Sequence, residues 1–357
     1  MHTSRVFTRW LIRAVHSFKQ ARNYSEGLVY AKYGTPEDVL ELQEVQIPSV
    51  GRDDVKVKVI AAPVNPSDVN VIQGTYPLSP RLPAFGGNEV VGMVTEVGST
   101  ITSLKLGDHV IAAQPGIGTW RDTIVCHYDK WLRVPSQLPI QLAATLMVNP
   151  ATAYRMMSDF VQLEEGDTII QNGANSGVGQ AVIQLAASRN INTINIIRDR
   201  PNIDEIKHYL DDLGATVVIT EEENSKRDIR SIYECYKSAK LGLNTVGGDS
   251  ATNLMRQLQQ QAVMVTYGGM SRKPVMLPTG SLIFKEIKFV GYWNAKWIER
   301  NKNSGPYHQM YDDLIRLGVE GKLKPPKCTE HLLQNYKTAL SQAMTSFAGS
   351  KQLFVLN

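Results

Sequence analysis

A glycine-rich stretch near the middle of the chain has the residue types and spacing needed to hold a phosphate-containing ligand. Residues 173–179 read Gly-Ala-Asn-Ser-Gly-Val-Gly, directly after the apolar run at 168–170 and before a helical pattern. Glycines let the backbone approach a pyrophosphate, and a helix N-terminus offers N–H groups and a partial positive charge. With a second strand about twenty residues later, the arrangement predicts a dinucleotide site. A plain turn between strand and helix is the alternative interpretation.

Arg198, Asp199 and Arg200 follow that second strand, at 193–197. A carboxylate at this position usually holds the ribose 2′-hydroxyl of NAD, whereas an arginine suits the 2′-phosphate of NADP. Arginine binds phosphate through charge-assisted hydrogen bonds, each about 1.5–3 kcal/mol. Asp199 leaves NAD as an alternative cofactor, because a register difference of one residue would put its carboxylate in the place of the Arg198 side chain. A solvated surface cluster is a third interpretation, and the arginines favour NADPH.

A third group of candidate residues comprises Tyr267, Gly268, Gly269 and Met270, directly after the apolar run at 262–266. Ligands of parallel sheets bind at the carboxyl ends of the strands. We therefore expect these residues near the nicotinamide end of the dinucleotide. The two glycines are also compatible with a simple turn.

The elements that must position these loops alternate short apolar runs with helical periodicity. The runs lie at 168–170, 193–197, 216–219, 241–246, 262–266 and 287–292. Helical patterns between them pass through Val178–Ala186, Ile203–Leu213, Ile229–Tyr236 and Leu254–Leu258. Six strands joined by crossover helices predict an α/β fold with a doubly wound parallel sheet of the Rossmann type.

The parts of the chain on either side of this sheet have a different pattern. Residues 55–59 alternate strictly between Val and Lys, and further apolar runs at 90–97, 109–113 and 122–128 are separated by Gly, Pro and Asp. These short strands predict a partly open antiparallel barrel. The tail ends in a strand at 351–356, which we expect to pack back on the barrel. The predicted domains are therefore 25–148 with 297–357, which is discontinuous, and 149–296, which binds the dinucleotide.

The first 24 residues have the composition of a targeting segment. They contain no acid and five cations: Arg5, Arg9, Arg13, Lys19 and Arg22. The whole chain has a formal net charge of +4, so without these five cations the remaining residues carry +4 − 5 = −1. The remainder of the chain therefore gives no sign of nucleic-acid binding. An arginine-rich, acid-free start with scattered apolar residues is typical of a mitochondrial transit peptide, with cleavage expected after Tyr24 and the matrix as the location. A disordered basic tail is the alternative.

Composition narrows the class further. The three cysteines have no C-x-x-C spacing, which favours neither a disulfide framework nor a metal knuckle. No apolar run reaches the ~18 residues that a membrane span requires. The chain is expected to be a globular protein without a membrane span.

Together these motifs resemble the mitochondrial trans-2-enoyl-CoA reductases, a zinc-free, quinone-oxidoreductase-like branch of the medium-chain dehydrogenase/reductase superfamily. The resemblance extends from about Leu28 to Asn357 and is carried by Gly-Ala-Asn-Ser-Gly-Val-Gly, Arg-Asp-Arg, Tyr-Gly-Gly-Met and Gly-Tyr-Trp-Asn. It implies a GroES-like first domain, a homodimer, and reduction of 2-enoyl thioesters of CoA or acyl carrier protein in mitochondrial fatty-acid synthesis.

The resemblance also implies roles for individual residues. Tyr76 matches the family's proton donor, and Trp293 is similar to its acyl-pocket aromatic residue. Cofactor contacts are implied for Asn149, Asn175, Ser176, Gly177, Val178, Arg198, Asp199, Arg200, Tyr267, Gly268, Gly269, Met270, Tyr292, Trp293, Asn294 and Lys351. Without the resemblance, Tyr76 would be interpreted as a loop residue and Lys351 as a surface lysine.

We expect no metal. Zinc-dependent members of the superfamily carry a cysteine in the substrate loop and a Gly-His-Glu motif, whereas here Val-Asn-Pro-Ser-Asp at 64–68 and Gly-Asn-Glu at 87–89 stand at those places. The carboxylates of Asp68 and Glu89 would hold zinc poorly without imidazole or thiolate. The substrate must then already be an electrophile. A 2-enoyl thioester qualifies, taking hydride from NADPH at C3 and a proton from the neutral phenol of Tyr76 at C2.

Two other functions stay open at this level. A quinone or enone reductase would share the glycine loop and the missing zinc ligands. A non-catalytic NADPH-sensing binding protein would share the fold but would not need the phenol of Tyr76.

Overall fold

The first part of the chain forms an antiparallel barrel-like domain. The structure is a computed structural model that describes residues 24–226, 229, 231, 234–345 and 349–356. The elements of this part are β1 (Tyr24–Tyr30), α1 (Pro36–Val39), β2 (Leu40–Gln46), β3 (Asp54–Pro63), α2 (Pro66–Ile72), β4 (Ala84–Phe85), β5 (Val91–Val97), β6 (His109–Ala112), β7 (Thr123–His127) and β8 (Trp131–Val134). Strand β3 pairs antiparallel with both β5 and β7, and β1 pairs with β2 and β4 in a smaller sheet. The Val side chains of 55–59 are buried, as the alternation predicts.

The second part is a parallel sheet with helices on its faces. Its elements are α3 (Ile140–Thr145), α4 (Asn149–Asp159), β9 (Thr168–Asn172), α5 (Gly177–Ala187), β10 (Asn192–Ile197), α6 (Ile203–Asp212), β11 (Val217–Thr220), α7 (Glu221–Ser225), β12 (Ala239–Asn244), α8 (Gly248–Arg256), β13 (Leu258–Thr266), α9 (Thr279–Ile283) and β14 (Lys288–Gly291). The strand order is β11-β10-β9-β12-β13-β14, with parallel pairing throughout. The predicted six-stranded, doubly wound sheet is confirmed. The strand order reverses between β9 and β12, where such sheets bind ligands.

Two helix boundaries show how far local signals reach. Helix α6 ends before Gly214, whose φ of +97° is the left-handed conformation predicted for a C-terminal glycine stop. The helix predicted through Ile229 and Tyr236 is wrong at Tyr236, which lies outside any helix, while residue 232 lies outside the described part. Instead, a capping box starts α7 directly after β11: the Thr220 hydroxyl accepts from the Glu223 backbone at 3.0 Å, and the Glu223 carboxylate accepts from the Thr220 backbone at 2.7 Å.

The tail returns to the first domain. It contains α10 (Asn294–Asn301), α11 (Gly305–Val319), β15 (Cys328–His331), α12 (Tyr336–Met344) and β16 (Lys351–Val355). Strand β16 pairs antiparallel with β3 through Leu353 and Pro63. Helix α10 runs across the expected domain limit at 296/297, and the limits themselves remain a prediction.

The predicted leader lies outside the described residues except for Tyr24, which begins β1. Within the described residues, no helix combines the length and apolar character needed to cross a membrane.

Candidate active site

The glycine-rich loop leaves β9 and starts α5, as the sequence predicts. Gly173 has a φ of +59°, and a Cβ built on it would lie 2.6 Å from Thr245 Cγ2. A Cβ on Gly179 would lie 2.4 Å from the carbonyl oxygen of Ala174. Ser176 caps the helix, because its Oγ accepts from the Gly179 backbone N–H at 3.2 Å. Side chains are excluded where the helix N-terminus meets the crevice, which suits a pyrophosphate.

Asn149 approaches the same loop from α4. Its side chain is buried, and a Cβ on Gly177 would lie 2.9 Å from its Nδ2. Within the described part of the chain, Nδ2 is buried without a hydrogen-bond partner. A buried unpaired donor costs about 1–3 kcal/mol, so this amide suits an acceptor oxygen of a ligand beside the loop.

Two asparagines that the sequence analysis missed hold the strand ends together. Asn172 Oδ1 accepts from the Thr245 backbone at 2.8 Å, and Asn172 Nδ2 donates to Asn244 Oδ1 at 2.8 Å. Asn244 Oδ1 also accepts from the Gly247 backbone at 3.0 Å. Each asparagine is the last residue of a buried strand, β9 or β12. A polar residue at the end of an apolar strand is the sequence feature from which their role could have been predicted. Their bonds fix the loops on both sides of the crevice relative to each other.

Arg198, Asp199 and Arg200 lie just beyond β10, at the same edge of the sheet. Burial lowers the pKa of Arg200, and the charge of Arg198 lowers it further. Arg200 Nε donates to the Arg198 carbonyl at 3.5 Å. Asp199 Oδ1 accepts from the Arg200 backbone at 2.8 Å and thus stabilises its own turn. Guanidinium groups suit a phosphate better than a ribose hydroxyl. The assignment of Arg198 and Arg200 to the 2′-phosphate stays a prediction.

Tyr267–Met270 follow β13 and border the crevice. Burial raises the pKa of Tyr267 to about 12, and its neighbours Thr245 and Ser176 act in the opposite direction. The Met270 backbone donates to the Thr245 carbonyl at 2.9 Å, while its side chain is exposed. A Cβ on Gly269 would meet nothing within 4 Å. Tyr267 packs against the main hydrophobic core, and Gly269 borders open space.

Tyr76 and Trp293 meet across the cleft between the two domains. Trp293 Nε1 donates a hydrogen bond to Tyr76 Oη at 2.7 Å, and the two rings meet edge to face with centroids 5.8 Å apart. Burial raises the pKa of Tyr76, the bond from Trp293 lowers it, and the charge of Asp68 raises it. The segment after Trp293 is also anchored, because Asn294 accepts from Tyr292 Oη at 2.9 Å and donates to the Met147 carbonyl at 2.8 Å.

Lys351 lies in a cluster of buried polar groups in the first domain. Its Nζ donates to Asn65 Oδ1, and Asn65 Nδ2 donates to Glu89 Oε2 at 2.8 Å. Asp68 accepts from the Asn65 backbone at 2.7 Å and from Asn88 Nδ2 at 2.6 Å. Burial raises the pKa of Asp68 to about 6 and that of Glu89 to about 7, and the ammonium of Lys351 lowers both. Lys351 is therefore held by buried groups and is not an ordinary surface lysine.

This cluster does not fit zinc. Across the described residues, no group of three or more His, Cys, Asp or Glu side chains could hold a metal ion. The oxygens of Asp68 and Glu89 already accept bonds from amides and backbone N–H groups, and the ammonium of Lys351 lies beside them. A second cation there would be repelled by that ammonium.

Comparison with known proteins first defines the class. The family model described as alcohol dehydrogenase GroES-like domain matches residues 51–136, and that described as zinc-binding dehydrogenase matches residues 177–309. A GroES-like barrel joined to a dinucleotide-binding Rossmann sheet is the architecture of the medium-chain dehydrogenases/reductases.

More similar proteins identify the branch. The human mitochondrial enoyl-[acyl-carrier-protein] reductase is 46% identical over 329 residues, which cover 92% of this chain and 88% of the human protein. The mitochondrial 2-enoyl thioester reductase Etr1p/Etr2p heterodimer from Candida tropicalis is 36% identical, with a TM-score of 0.87 over 93% of this chain and 99% of that chain. The complex of Etr1p with NADP and crotonyl-CoA has the same TM-score, identity and coverage. The chain belongs to the mitochondrial enoyl-[acyl-carrier-protein] reductase family, which confirms the resemblance seen in the sequence.

Proposed function

We propose that this protein reduces trans-2-enoyl thioesters of CoA or acyl carrier protein to acyl thioesters, with NADPH as reductant, in mitochondrial fatty-acid synthesis. The observation that carries the proposal is the contact of Tyr76 with Trp293, because it brings a phenol of the first domain to the cofactor-binding domain. The related Etr1p complex contains NADP and crotonyl-CoA, which are a nicotinamide cofactor and a 2-enoyl thioester.

Different residues around the carboxyl ends of the parallel strands bind different parts of NADPH. The backbone of Asn175, Ser176, Gly177 and Val178 faces the pyrophosphate at the start of α5. Arg198 and Arg200 bind the 2′-phosphate, with Asp199 shaping their turn. The nicotinamide end is contacted by Asn149, Tyr267, Gly268, Gly269, Met270, Tyr292, Trp293 and Asn294, and Lys351 reaches the cofactor from the first domain.

Tyr76 supplies the proton of the reaction. When bound, NADPH provides the hydride that adds to C3 of the enoyl group. Tyr76 Oη donates its proton to C2, and because burial raises its pKa above the ordinary value of 10.0, the phenol remains protonated at the slightly alkaline pH of the matrix. The indole N–H of Trp293 then donates to the phenolate, which is a stronger, charge-assisted bond than the one to the neutral phenol.

A substrate comparison tests this function. We expect the purified protein to oxidise NADPH with 2-hexenoyl-CoA and with longer 2-enoyl thioesters, and only weakly with a quinone. Faster turnover of the quinone would favour the enone or quinone reductase instead. Binding of NADPH without turnover of any of these acceptors would favour the non-catalytic NADPH-sensing protein.

We also propose that the functional unit is a homodimer. Strand β14 is an edge strand of the parallel sheet, and the neighbouring segment exposes large apolar side chains, with Met276, Ile283 and Phe284 at 65%, 61% and 78% exposure. An unpaired strand edge beside an apolar patch is a common protein interface. Light scattering should give twice the monomer mass, and Phe284→Ser should shift the protein toward monomer. A monomeric parent protein would contradict this proposal.

We propose the mitochondrial matrix as the location, with residues 1–24 as the transit peptide. The human relative carries the description mitochondrial. A fluorescent reporter fused to residues 1–24 should enter mitochondria. N-terminal sequencing of the imported full-length protein should begin at Ser25. A reporter that stays outside mitochondria would contradict this location.

A further inference from the structure

The cluster around Lys351 connects the two sides of the candidate active site. Asn65 immediately precedes α2, and the loop that follows this helix carries Tyr76. The Thr75 backbone donates to the Asn70 carbonyl at 2.9 Å, so the loop is tied back to the helix. On the other side, Glu89 Oε1 accepts from the Val148 backbone N–H at 2.7 Å, directly before Asn149 and α4. Asn65 and Glu89 thus connect helix α2, whose following loop carries Tyr76, with the start of helix α4, which carries Asn149.

The hydrogen bonds through these two side chains have a direction that chemistry alone decides. An ammonium has only donors, so Asn65 must turn its Oδ1 toward Lys351 and its Nδ2 toward Glu89. The backbone N–H of Val148, at the far end, is also a donor. With donors at both ends and one amide between them, the remaining member must accept on both sides. Because the two bonds end on different oxygens of Glu89, a carboxylate satisfies both, whereas an amide at this position would set its NH₂ group against one of the donors.

A second arm with the same order of groups meets the first at Asn65. The Gly116 backbone donates to Asn88 Oδ1 at 2.8 Å, and Asn88 Nδ2 donates to Asp68. Asp68 in turn accepts from the Asn65 backbone. Each arm therefore runs from a donor through an amide to a carboxylate and ends on a backbone N–H. Asn65, Asp68 and Glu89 are each no more than 2% exposed, so water cannot replace a lost partner cheaply.

We propose that Asn65 and Glu89 are positioning residues for the reaction. Hydrogen bonds from Lys351 through Asn65, and from the Val148 backbone N–H, converge on the Glu89 carboxylate and hold the helix that supports Tyr76 against the helix that carries Asn149. The cluster occupies the places where zinc-dependent members of the superfamily carry their Cys and Gly-His-Glu ligands, and the ammonium of Lys351 supplies the positive charge there. The functional part of this inference rests on the proposed roles of Tyr76 and Asn149. The hydrogen bonds among Lys351, Asn65, Glu89 and Val148 do not depend on those roles.

An exchange of the two groups tests the direction of the chain. In Glu89→Gln, Oε1 must face Val148, so Nε2 opposes Asn65 Nδ2, and turning Asn65 would only move the conflict to Lys351. In Asn65→Asp, two carboxylates face each other across the present 2.8 Å contact. In the double variant Asn65→Asp/Glu89→Gln, the new carboxylate at position 65 accepts from Lys351 and from the new amide at position 89, which itself accepts from Val148. Every donor regains an acceptor, and the net charge of the cluster is unchanged.

We expect each single variant to lower kcat for enoyl-thioester reduction by about 10–100-fold, because a misplacement of about 1 Å at a reacting site can cost about 10²-fold. The dissociation constant for NADPH should change much less. The double variant should recover to within about threefold of the parent, which is strong non-additivity. Assays at about pH 8 keep Glu89 ionised, because its pKa is raised only to about 7. Thermal unfolding of each variant shows whether it is folded.

The matched control is a surface exchange, Glu41→Gln/Gln43→Glu. Gln43 Nε2 donates to Glu41 Oε2 at 2.9 Å in solvent, and this exchange should leave kcat unchanged. Full activity of Glu89→Gln, or a double variant as slow as the slower single variant, would overturn the inference. If the single variants do not fold, the double variant decides: near-parent activity supports the chain, and its loss overturns it. Failure of the Tyr76 hypothesis would instead appear as an undiminished rate in Tyr76→Phe, independently of this exchange.

Discussion

Replacing Tyr76 with Phe removes one hydroxyl and leaves the ring that packs edge to face on Trp293. If Tyr76 Oη donates the proton to C2, the loss should be that of a positioned general acid, about 10²–10⁴-fold in kcat. The dissociation constant for NADPH should stay nearly constant, because the glycine loop and the two arginines bind the cofactor elsewhere. The assay is oxidation of NADPH by 2-hexenoyl-CoA, with cofactor binding followed separately by fluorescence.

The hydrogen bond from Trp293 to Tyr76 allows the effect of a second substitution on kcat to be predicted. In the course of proton donation, Tyr76 Oη becomes negative, and a hydrogen bond to a charged group contributes about 1.5–3 kcal/mol. Trp293→Phe should therefore lower kcat by about 10–150-fold, since about 1.36 kcal/mol corresponds to a factor of ten. In the Tyr76→Phe background there is no phenolate to stabilise, so the same substitution should cost little more. Strictly additive losses would mean that Trp293 acts independently of the phenol.

The pH dependence has a defined sign. A general acid works while it is protonated, and burial raises the pKa of Tyr76 above 10.0. The rate should therefore be flat from about pH 7 to 9, as far as this residue is concerned, and fall only above about pH 10. Tyr76→Phe should lack that alkaline fall. An undiminished rate in Tyr76→Phe would remove this residue from the mechanism and refute the reasoning.

Two further substitutions test the cofactor site. Arg198→Glu should weaken NADPH binding by far more than NADH binding; equal loss for both cofactors would mean that the 2′-phosphate binds elsewhere. Gly177→Ala places a Cβ 2.9 Å from the Asn149 amide and should raise the dissociation constant for NADPH by about tenfold, or ~1.4 kcal/mol. Gly305→Ala, where a Cβ meets nothing within 4 Å, is the matched control, and an unchanged NADPH affinity in Gly177→Ala would show that the loop tolerates a side chain.

Local signals in the sequence were sufficient for the parallel sheet and its glycine loop. The alternation of apolar runs with helical patterns predicts β9 to β14, because each element buries one face with its own period. The loop at 173–179 could be recognised because the glycines, the preceding strand and the following helix are contiguous. The family resemblance then supplied Tyr76, Trp293 and Lys351, which have no local signature.

The contacts across the cleft depended on the tertiary structure. Tyr76 and Trp293 are 217 positions apart, and Lys351 and Asn65 are 286 apart, so no pattern of neighbouring residues could pair them. The sequence likewise left the roles of Arg198 and Asp199 ambiguous, and only the structure shows that the Asp199 carboxylate accepts from the Arg200 backbone N–H. Periodicity reports which face of an element is buried, whereas the partner of a polar side chain is decided by which elements the fold brings together. For this protein, the sequence determined the sheet, the loop and the missing zinc ligands, and the tertiary structure alone decided that a lysine from the last strand lies among the buried carboxylates.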